Sequence, residues 1–241
     1  MDGARLGDWL AGQPWTLALS AGFFGFFAHA GVLAALEESG LRPARVTGAS
    51  AGALAGGAWS SGVGAAELKS ALFSVSREDF WDPAPGLGLL RGRRFRALLG
   101  RLCPVEDIAE CRTPFAASVF DPLGRRTIVP RDWGFVEAVY ASCAVPFLFH
   151  PLFRGGRPYW DGGIRDRAAL AGTRPGERVL CHWLRPERDG AAPAGTPAMG
   201  VVSLDGLPRP GPGDLAAGRR AWSRARDGFL RALEAPVEQA A

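Results

Sequence analysis

The run from Leu17 to Leu36 has twenty consecutive residues without a charged side chain, about the length of a membrane-spanning helix. The run changes character at Gly22, however. Residues 15–20 have the pattern of a buried strand, residues 22–26 that of a glycine-containing loop, and residues 27–39 that of a helix. A buried strand that leads through a loop into a buried helix therefore explains the run better than a membrane span does.

The amino-terminal residues do not resemble a secretory signal. Asp2 and Asp8 accompany Arg5, so the start is not basic, although Ala28-His29-Ala30 resembles a cleavage site. Cleavage there would also discard the loop at 22–26. We therefore predict neither a signal peptide nor a transmembrane helix. The predicted location is cytoplasmic, and peripheral, transient contact with a membrane surface is compatible with this prediction.

The rest of the chain alternates between strand and helix patterns. Strands are predicted at 45–47, 177–184 and 199–204, helices at 51–60, 65–74, 92–101, 133–141 and from Asp214 to about 234, and a hairpin at 114–129. The remaining segments are predicted as loops, notably 81–88, 145–160 and the linker-like 185–198. This alternation indicates an α/β protein. With neither repeats nor a second apolar core, we predict a single domain over 1–241.

The cysteines bear on the redox state of the protein's compartment, and the net charge bears on the kinds of partner that it can bind. Cys103, Cys111, Cys143 and Cys181 form no CxxC pair, which predicts free thiols in a reducing compartment. A net charge of +4 is too small to indicate a nucleic-acid partner, and we expect none. The basic segment 91–101 is typical of a solvated helix face and is also compatible with phospholipid headgroups. The oligomeric state stays open.

The motif Gly48-Ala49-Ser50-Ala51-Gly52 stands between a predicted strand and a predicted helix. This is the context in which G-x-S-x-G forms a sharp turn that exposes a nucleophilic serine. The amino terminus of the following helix favours the negative charge of a developing oxyanion. A glycine-rich turn with an incidental serine is the plainer interpretation of the same residues, but the strand and helix context favours Ser50 as a nucleophile.

A nucleophilic serine needs a base, and the sequence offers two arrangements. Asp161, followed by two glycines, can act directly if burial beside Tyr159 and Trp160 raises its pKa, an effect that a nearby Arg165 would oppose. Alternatively, Ser50, Asp161 and His182 follow the order of an α/β-hydrolase triad. Because those enzymes build several strands before the nucleophile, the topology disfavours the triad.

Four segments in order resemble the patatin-like phospholipase family and span well over half of the chain. They are "LALSAGFFGFFAHAGVLAALEE" (17–38), similar to the family's oxyanion loop and following helix, "VTGASAGALAGGAWSSG" (46–62), similar to its nucleophile elbow, "ASCAVPFLFHPL" (141–152), similar to its serine-x-Ala-x-Pro segment, and "YWDGGI" (159–164), similar to its D-G-G motif. The resemblance implies a three-layer α/β/α sandwich with a mainly parallel central sheet. Its motifs lie within 15–170, with the later strands and helix of 177–235 packed against that part.

The resemblance also implies an activity, which is hydrolysis of lipid acyl esters by a Ser–Asp dyad without a metal or an organic cofactor. Ser50 would be the nucleophile and Asp161 the base. The oxyanion hole would come from backbone N–H groups of the loop and of the residue after Ser50. Carried over residue by residue, the oxyanion set is Gly22, Phe23, Phe24, Gly25 and Ala51, and the motif glycines are Gly48, Gly52, Gly162 and Gly163.

The loop departs from the family's usual Gly-Gly-Gly-x-Arg/Lys-Gly, because phenylalanines stand at 23, 24 and 26 and no basic residue is present. Asp161-Gly162-Gly163 is also followed by Arg165-Asp166-Arg167 instead of an asparagine-containing run. Phe27 follows the loop in the same stretch, and these four phenylalanines are typical of a core and also suit an acyl-chain site, whereas His29 is typical of a structural hydrogen bond. A weakly active or inactive lipid-binding homologue is therefore the alternative function, and hydrolysis or acyl transfer both remain compatible with an acyl-enzyme.

Overall fold

The computed structural model describes residues 4–184, 191–196, 198–211, 214 and 216–237. Its helices are α1 (Leu6–Ala11), α2 (Phe26–Glu38), α3 (Ala51–Ser61), α4 (Ala65–Ser74), α5 (Arg93–Leu102), α6 (Phe135–Cys143) and α7 (Ala216–Glu234). Its strands are β1 (Trp15–Leu19), β2 (Arg45–Ala49), β3 (Gly88–Leu90), β4 (Phe115–Asp121), β5 (Arg126–Ile128), β6 (Phe147–Phe149), β7 (Leu152–Arg154), β8 (Arg157–Asp161), β9 (Arg178–His182) and β10 (Met199–Val202).

The main sheet has the strand order β10-β9-β1-β2-β4-β8-β7, and β5 pairs with β4 outside this path. The first five strands of this order run parallel, whereas β8 and β5 run antiparallel to β4, and β7 runs antiparallel to β8. The prediction of an α/β fold with a mainly parallel central sheet is confirmed. In such sheets, sites form outside the carboxyl ends of the parallel strands.

The strand β1 is buried along its whole length because the sheet is covered on both faces. Successive side chains of a strand point to opposite faces. Accordingly, Leu17 and Leu19 join the large core cluster that includes the apolar faces of α2, α3, α6 and α7. Ala18 joins a smaller cluster with Cys181 and Trp183, against which Ala168 and Leu170 pack. The helices α2 and α3 therefore hold one face of the sheet, and the segment around 165–175 covers part of the other.

The structure corrects two parts of the sequence interpretation. The short helix α1 and the strand β3 were not predicted, and residues 145–160 are not a loop but contain β6, β7 and β8. These three strands have only three to five residues each and mostly half-buried side chains, so they show neither a buried run nor a clear alternation. Pro158 is tolerated because it lies in the short hairpin at the sheet edge, where it faces Phe153.

The other predicted elements form with small shifts of their ends. The helix at 65–74 has the predicted bounds, and the hairpin at 114–129 forms as β4 and β5. Asp214 caps α7 by accepting a hydrogen bond from the N–H of Ala217 at 3.0 Å, whereas Leu215 and much of the linker-like segment lie outside the described residues. The four cysteines are free thiols, as predicted. None of the helices in the described ranges combines the length and the hydropathy that a bilayer crossing requires.

Candidate active site

Ser50 occupies the turn between β2 and α3 with a backbone conformation that few non-glycine residues adopt. Its φ is 51° and its ψ is −117°, and it is the residue immediately before the first turn of α3. The turn is tight because the α3 backbone approaches β1 closely. A Cβ atom on Gly52 would lie 1.9 Å from the carbonyl oxygen of Leu19, so only glycine fits there. The predicted strand–turn–helix context of Ser50 is therefore present.

The backbone of Ser50 is held by two side chains from the end of α6. Its N–H donates to Oγ of Ser142 at 3.0 Å, and its carbonyl accepts from Sγ of Cys143 at 3.1 Å. Burial raises the pKa of the Cys143 thiol well above its usual range, so the thiol keeps the proton that it donates. Sequence reasoning did not assign these roles, although both residues lie in the segment 141–152 that carries the family resemblance.

Asp161 ends β8 and is almost completely buried beside this turn. Its N–H donates to the carbonyl of Ala144 at 3.0 Å, and its Oδ1 accepts from the N–H of Gly163 at 2.7 Å. The backbone after it passes so close to β4 that a Cβ on Gly162 would lie 1.9 Å from the carbonyl oxygen of Ser118. These contacts fix Oδ1 as a structural acceptor and leave Oδ2 to face the site.

Oδ2 of Asp161 is buried and has no partner at full hydrogen-bonding geometry in the part of the chain that the structure describes. The Ser50 hydroxyl nevertheless lies close enough to act on the pKa of this carboxyl group. Both observations fit one arrangement, in which a small rotation of the seryl hydroxyl completes the bond to Oδ2. Hydrogen bonds of catalytic pairs are often long before substrate binds.

Burial raises the pKa of Asp161 from 3.8 to about 6, while the Ser50 hydroxyl, the Gly163 N–H and the charge of Arg167 each lower it. The burial effect is the one expected from the sequence. The opposing cation is Arg167 and not Arg165, whose guanidinium instead donates to the carbonyl of Arg125. A carboxyl with a pKa near 6 is mostly ionised at neutral pH and is a stronger base than an ordinary aspartate.

An apolar cavity opens beside Ser50. Its lining combines Ser50 and Ala51 with the loop residues Gly22, Phe23 and Phe24, and with apolar side chains of α4, α5 and the segment 143–149. Phe26 also lines it, whereas Phe27 is buried in the core. The phenylalanines that the sequence left between a core role and an acyl-chain site are thus divided between the two, with three of them at the cavity.

Not every member of the expected oxyanion set offers a free donor. The N–H of Gly25 already donates to the carbonyl of Gly22 at 2.9 Å. Within the described residues, the N–H groups of Gly22, Phe23, Phe24 and Ala51 donate to no acceptor. Ala51 stands at the first position of α3, where an N–H has no intrahelical partner. Phe24 adopts a positive φ of 54°, so the loop is sharply bent beside Ser50.

His182 does not complete a triad with Ser50 and Asp161. Its Nδ1 lies 2.8 Å from Nδ1 of His29, whose Nε2 lies 2.8 Å from the carbonyl oxygen of Ser20. No hydrogen bond in the described part of the chain joins His182 to Ser50 or Asp161. The alternative triad is therefore not formed, and the structural role expected for His29 is present as the contact that closes the loop between Ser20 and α2.

Asp166 has a structural role where the family usually has an asparagine-containing run. Its carboxylate accepts from Oγ of Ser118 at 2.5 Å and from the N–H groups of Leu170 and Ala171 at 2.8 and 2.9 Å. The neighbouring carbonyl of Arg167 accepts the N–H of Ala21 at 2.7 Å, immediately before the glycine loop. The segment after Asp161 thus ties β4 to the loop. Cβ atoms on the remaining motif glycines, Gly48 and Gly163, would meet neighbouring atoms at 2.5 Å.

Comparison with protein families gives a clear result for this arrangement. The family model described as patatin-like phospholipase matches residues 17–171, which is more than half of the chain. The chain belongs to the patatin-like phospholipase family. The match contains both Ser50 and Asp161, the whole loop at 22–25 and the segment of Ser142 and Cys143.

The patatin-like chain also has relatives among curated proteins. It is 28% identical over 158 residues to the uncharacterized NTE family protein Rv1063c of Mycobacterium tuberculosis, a match that covers 64% of this chain and 44% of the relative. It is 28% identical over 182 residues to the uncharacterized NTE family protein Rv2565 of the same organism, covering 73% and 31%. The chain therefore spans less than half the length of these relatives.

Among solved structures, the patatin-like chain is similar to VipD from Legionella pneumophila. The TM-score is 0.57 at 13% sequence identity, with 91% of this chain and 66% of VipD covered. At this identity the likeness bears on the fold alone. ExoU in the ExoU–SpcU complex from Pseudomonas aeruginosa gives a TM-score of 0.45 at 18% identity, covering 92% and 52%.

Proposed function

We propose that this patatin-like chain is a serine lipid acyl hydrolase in which Ser50 is the nucleophile and Asp161 the general base. The observation that carries the proposal is the buried Oδ2 of Asp161, which has no partner among the described residues and lies near Ser50, a residue that lines an apolar cavity. A buried polar atom without a partner is costly, and a catalytic role is one explanation for retaining it. Family membership supports the reaction class, and the geometry supports the assignment of the two residues.

The first step is attack by Ser50. Its hydroxyl transfers a proton to Oδ2 of Asp161 while Oγ forms a bond to the ester carbonyl carbon. The negative charge that develops on the carbonyl oxygen is stabilised by backbone donors, for which Gly22, Phe23, Phe24 and Ala51 offer N–H groups that are unused in the described residues. Each such donor typically contributes about 3–4 kcal/mol to transition-state stabilisation.

The second step releases the acyl group. Protonated Asp161 gives its proton to the leaving alcohol, and Ser50 remains as an acyl ester. Ionised again, Asp161 takes a proton from a water molecule that attacks the acyl carbon, and it returns that proton to Oγ of Ser50 as the fatty acid leaves. An alcohol in the place of that water would give acyl transfer, which uses the same groups.

The substrate class follows from the lining of the cavity. Phe24 and Phe26 line it together with Leu98 and Leu99 of α5 and Leu72 of α4. Burying an acyl chain there gains about 25 cal/mol for each Å² of apolar surface removed from water. A lipid acyl ester is therefore the substrate that this cavity favours.

A fluorophosphonate probe together with a short-chain nitrophenyl ester tests the proposal. Wild-type protein should be labelled at Ser50 and should hydrolyse the ester, whereas Ser50→Ala should lose labelling and at least about a thousandfold in kcat/KM. Asp161→Asn should lose activity to a comparable extent, because the amide cannot accept the seryl proton.

Ser60→Ala is the matched control, since Ser60 is a buried serine of α3, the helix that follows Ser50, and its hydroxyl has no partner in the described structure. It should retain wild-type labelling and turnover. Folding of all variants is compared by circular dichroism. Wild-type rates in both Ser50→Ala and Asp161→Asn would refute the dyad, and folded wild-type protein that is neither labelled nor active would favour the inactive lipid-binding alternative.

A further inference from the structure

Segments that line the apolar cavity also carry large apolar side chains that are exposed to solvent. Phe147 is 87% exposed, Leu87 58% and Leu89 49%, and all three belong to the small sheet of β3 and β6 or stand next to it. Phe23 is 59% exposed and also lines the cavity, so the cavity reaches the surface there. We call these four residues the apolar rim.

The apolar rim is built by elements that also form the inside of the cavity. Leu90 at the end of β3 and Leu148 and Phe149 of β6 line the cavity, one or two residues from the exposed Leu89 and Phe147. Phe147 has a positive φ of 66°, a conformation that a bulky residue rarely adopts. Neither burial nor backbone preference explains a phenylalanine at this position, so a binding role is the remaining physical reason.

Positive charge accompanies the apolar rim. Residues 77–101 contain six arginines against three carboxylates. The carboxylate of Asp82 is held by the N–H groups at the start of α5, and Asp79 is paired with Arg101 at 3.6 Å. The exposed Arg91 and Arg93, next to β3, form no ion pair with any described residue. Their charges are therefore free to meet anionic groups outside the protein.

We propose that the apolar rim together with Arg91 and Arg93 is a docking face for the surface of an anionic phospholipid bilayer. Aromatic and aliphatic side chains beside arginines are the combination that inserts at the level of the headgroups. The continuity with the cavity selects a lipid surface over a protein partner, because an acyl chain leaving the bilayer at Phe23 would stay among apolar side chains. The face gives the proposed hydrolase its access to aggregated lipid, and in that sense it rests on the proposed function.

Vesicle binding tests the face separately from catalysis. The protein used is Ser50→Ala, which cannot consume the lipid under the proposed mechanism, and binding is measured by co-sedimentation with phosphatidylcholine vesicles that do or do not contain phosphatidylglycerol. We expect binding that is stronger with phosphatidylglycerol and that weakens as salt is added. Arg91→Gln and Arg93→Gln, introduced together into the Ser50→Ala protein, should reduce the affinity for the anionic vesicles by about tenfold or more. Each arginine near such a surface contributes about fivefold to the affinity.

The apolar part is tested by Phe147→Asn combined with Leu87→Asn, again in the Ser50→Ala protein. Asparagine tolerates a positive φ, so the fold is retained. Affinity for both kinds of vesicle should fall by about tenfold or more because the inserted apolar surface is lost. Leu123→Asn is the matched control, since Leu123 is 63% exposed in the β4–β5 turn and lines no part of the cavity.

The arginine control is Arg42→Gln with Arg174→Gln. These two exposed arginines precede β2 and β9, at the amino ends of the parallel strands and thus opposite to Ser50. The two substitutions remove the same charge as Arg91→Gln with Arg93→Gln and should leave vesicle binding unchanged. Equal loss in this control would show a non-specific charge effect and overturn the proposal.

Two further outcomes separate the docking face from the proposed function. Failure of the Ser50→Ala protein to bind either vesicle would overturn the docking face, even if wild-type protein hydrolyses a soluble ester. Specific binding that depends on the rim would support the face even if wild-type protein hydrolyses no ester, a result that would refute the proposed function alone.

Discussion

At the scale of single residues, the site depends on the different environments of the two carboxylate oxygens of Asp161. Oδ1 accepts the Gly163 N–H, and Oδ2 is buried without a partner among the residues that the structure describes. The first contact holds the carboxyl in place, while burial raises its pKa to about 6 and makes it a base suited to neutral pH. The Ser50 hydroxyl, the Gly163 N–H and, to the smallest extent, the charge of Arg167 oppose this rise, so the basicity of Asp161 is set by a balance between burial and these three groups.

This balance predicts the pH dependence of activity. Because Asp161 must be ionised to accept the seryl proton, kcat/KM for a neutral soluble ester should rise with pH through about 6 and then level off. Arg167→Gln removes a charge that lowers the pKa of Asp161, so the rising limb should move to higher pH. Steady-state rates across the pH range measure the position of the rising limb in wild-type protein and in Arg167→Gln. A limb at the same pH in Arg167→Gln would contradict the assignment of Asp161 as the titrating group.

At the scale of elements, the cavity depends on a helix that is capped from outside its own sequence. The Asp82 carboxylate accepts the N–H groups of Gly92, Arg93 and Arg94 at 2.9, 2.7 and 3.2 Å. The negative charge also lies at the positive end of the α5 dipole. Phe95, Leu98 and Leu99 then point from α5 into the cavity, so the cap of this helix positions one wall of the substrate site.

Removal of the cap should therefore affect both stability and the cavity wall. We expect Asp82→Ala to lower the free energy of unfolding by about 1–2 kcal/mol, and to speed hydrogen exchange in the first turns of α5. Asp82→Asn is the matched control, because its side-chain oxygen still accepts a backbone N–H and should restore part of the loss. Urea denaturation and hydrogen exchange measure these effects. Unchanged exchange in α5 of Asp82→Ala would show that the cap does not hold the wall.

At the scale of the whole molecule, two buried histidines connect the ends of distant segments. Because a carbonyl oxygen can only accept, Nε2 of His29 must carry the proton that it donates to the carbonyl of Ser20. The Nδ1 of a neutral His29 is then the acceptor for the Nδ1–H of His182. Nε2 of His182 then has a lone pair and no partner in the described structure. Burial lowers the pKa of His29 to about 4 and lowers that of His182 well below its usual range. Both rings are therefore neutral in the folded state.

Stability should consequently fall in mild acid. Below about pH 6.5 the unfolded chain binds protons on these histidines that the folded protein does not, so the free energy of unfolding decreases as the pH falls from about 6.5 towards 4. His29 alone accounts for about 3 kcal/mol over this window. Asp161 acts in the opposite direction, because its raised pKa lets the folded protein bind the extra proton between 3.8 and about 6.

Urea denaturation at about pH 7.5 and about pH 5, followed by tryptophan fluorescence, measures this loss. His29→Gln removes one of the titrating groups, and its difference in stability between the two pH values should be smaller than that of wild-type protein. His150→Gln is the control, since His150 is only half-buried and lies outside the pair. An equal pH difference in wild type and His29→Gln would contradict the role of the buried pair.

The sequence by itself determined the elements whose signals are local. The buried strand before Gly22, the turn at Ser50 and the helix after it can be read because each depends on neighbouring residues only, and Gly52 marks the close approach within the motif. The same holds for the α/β class, which follows from the alternation of such elements. The strands β6, β7 and β8 were not predicted because three to five mostly half-buried residues carry too little periodicity to be distinguished from a loop.

Only the tertiary structure decided which distant groups meet. Ser50 and Ser142 are 92 residues apart, and His29 and His182 are 153 apart. In the tertiary structure, His182 pairs with His29 and not with the site, and the cation that acts on Asp161 is Arg167 and not Arg165. Oδ2 of Asp161 is buried without a partner among the described residues. Burial and partnership depend on how the carboxyl ends of β2, β4 and β8 come together, and residues that are distant along the chain carry no local pattern that records this.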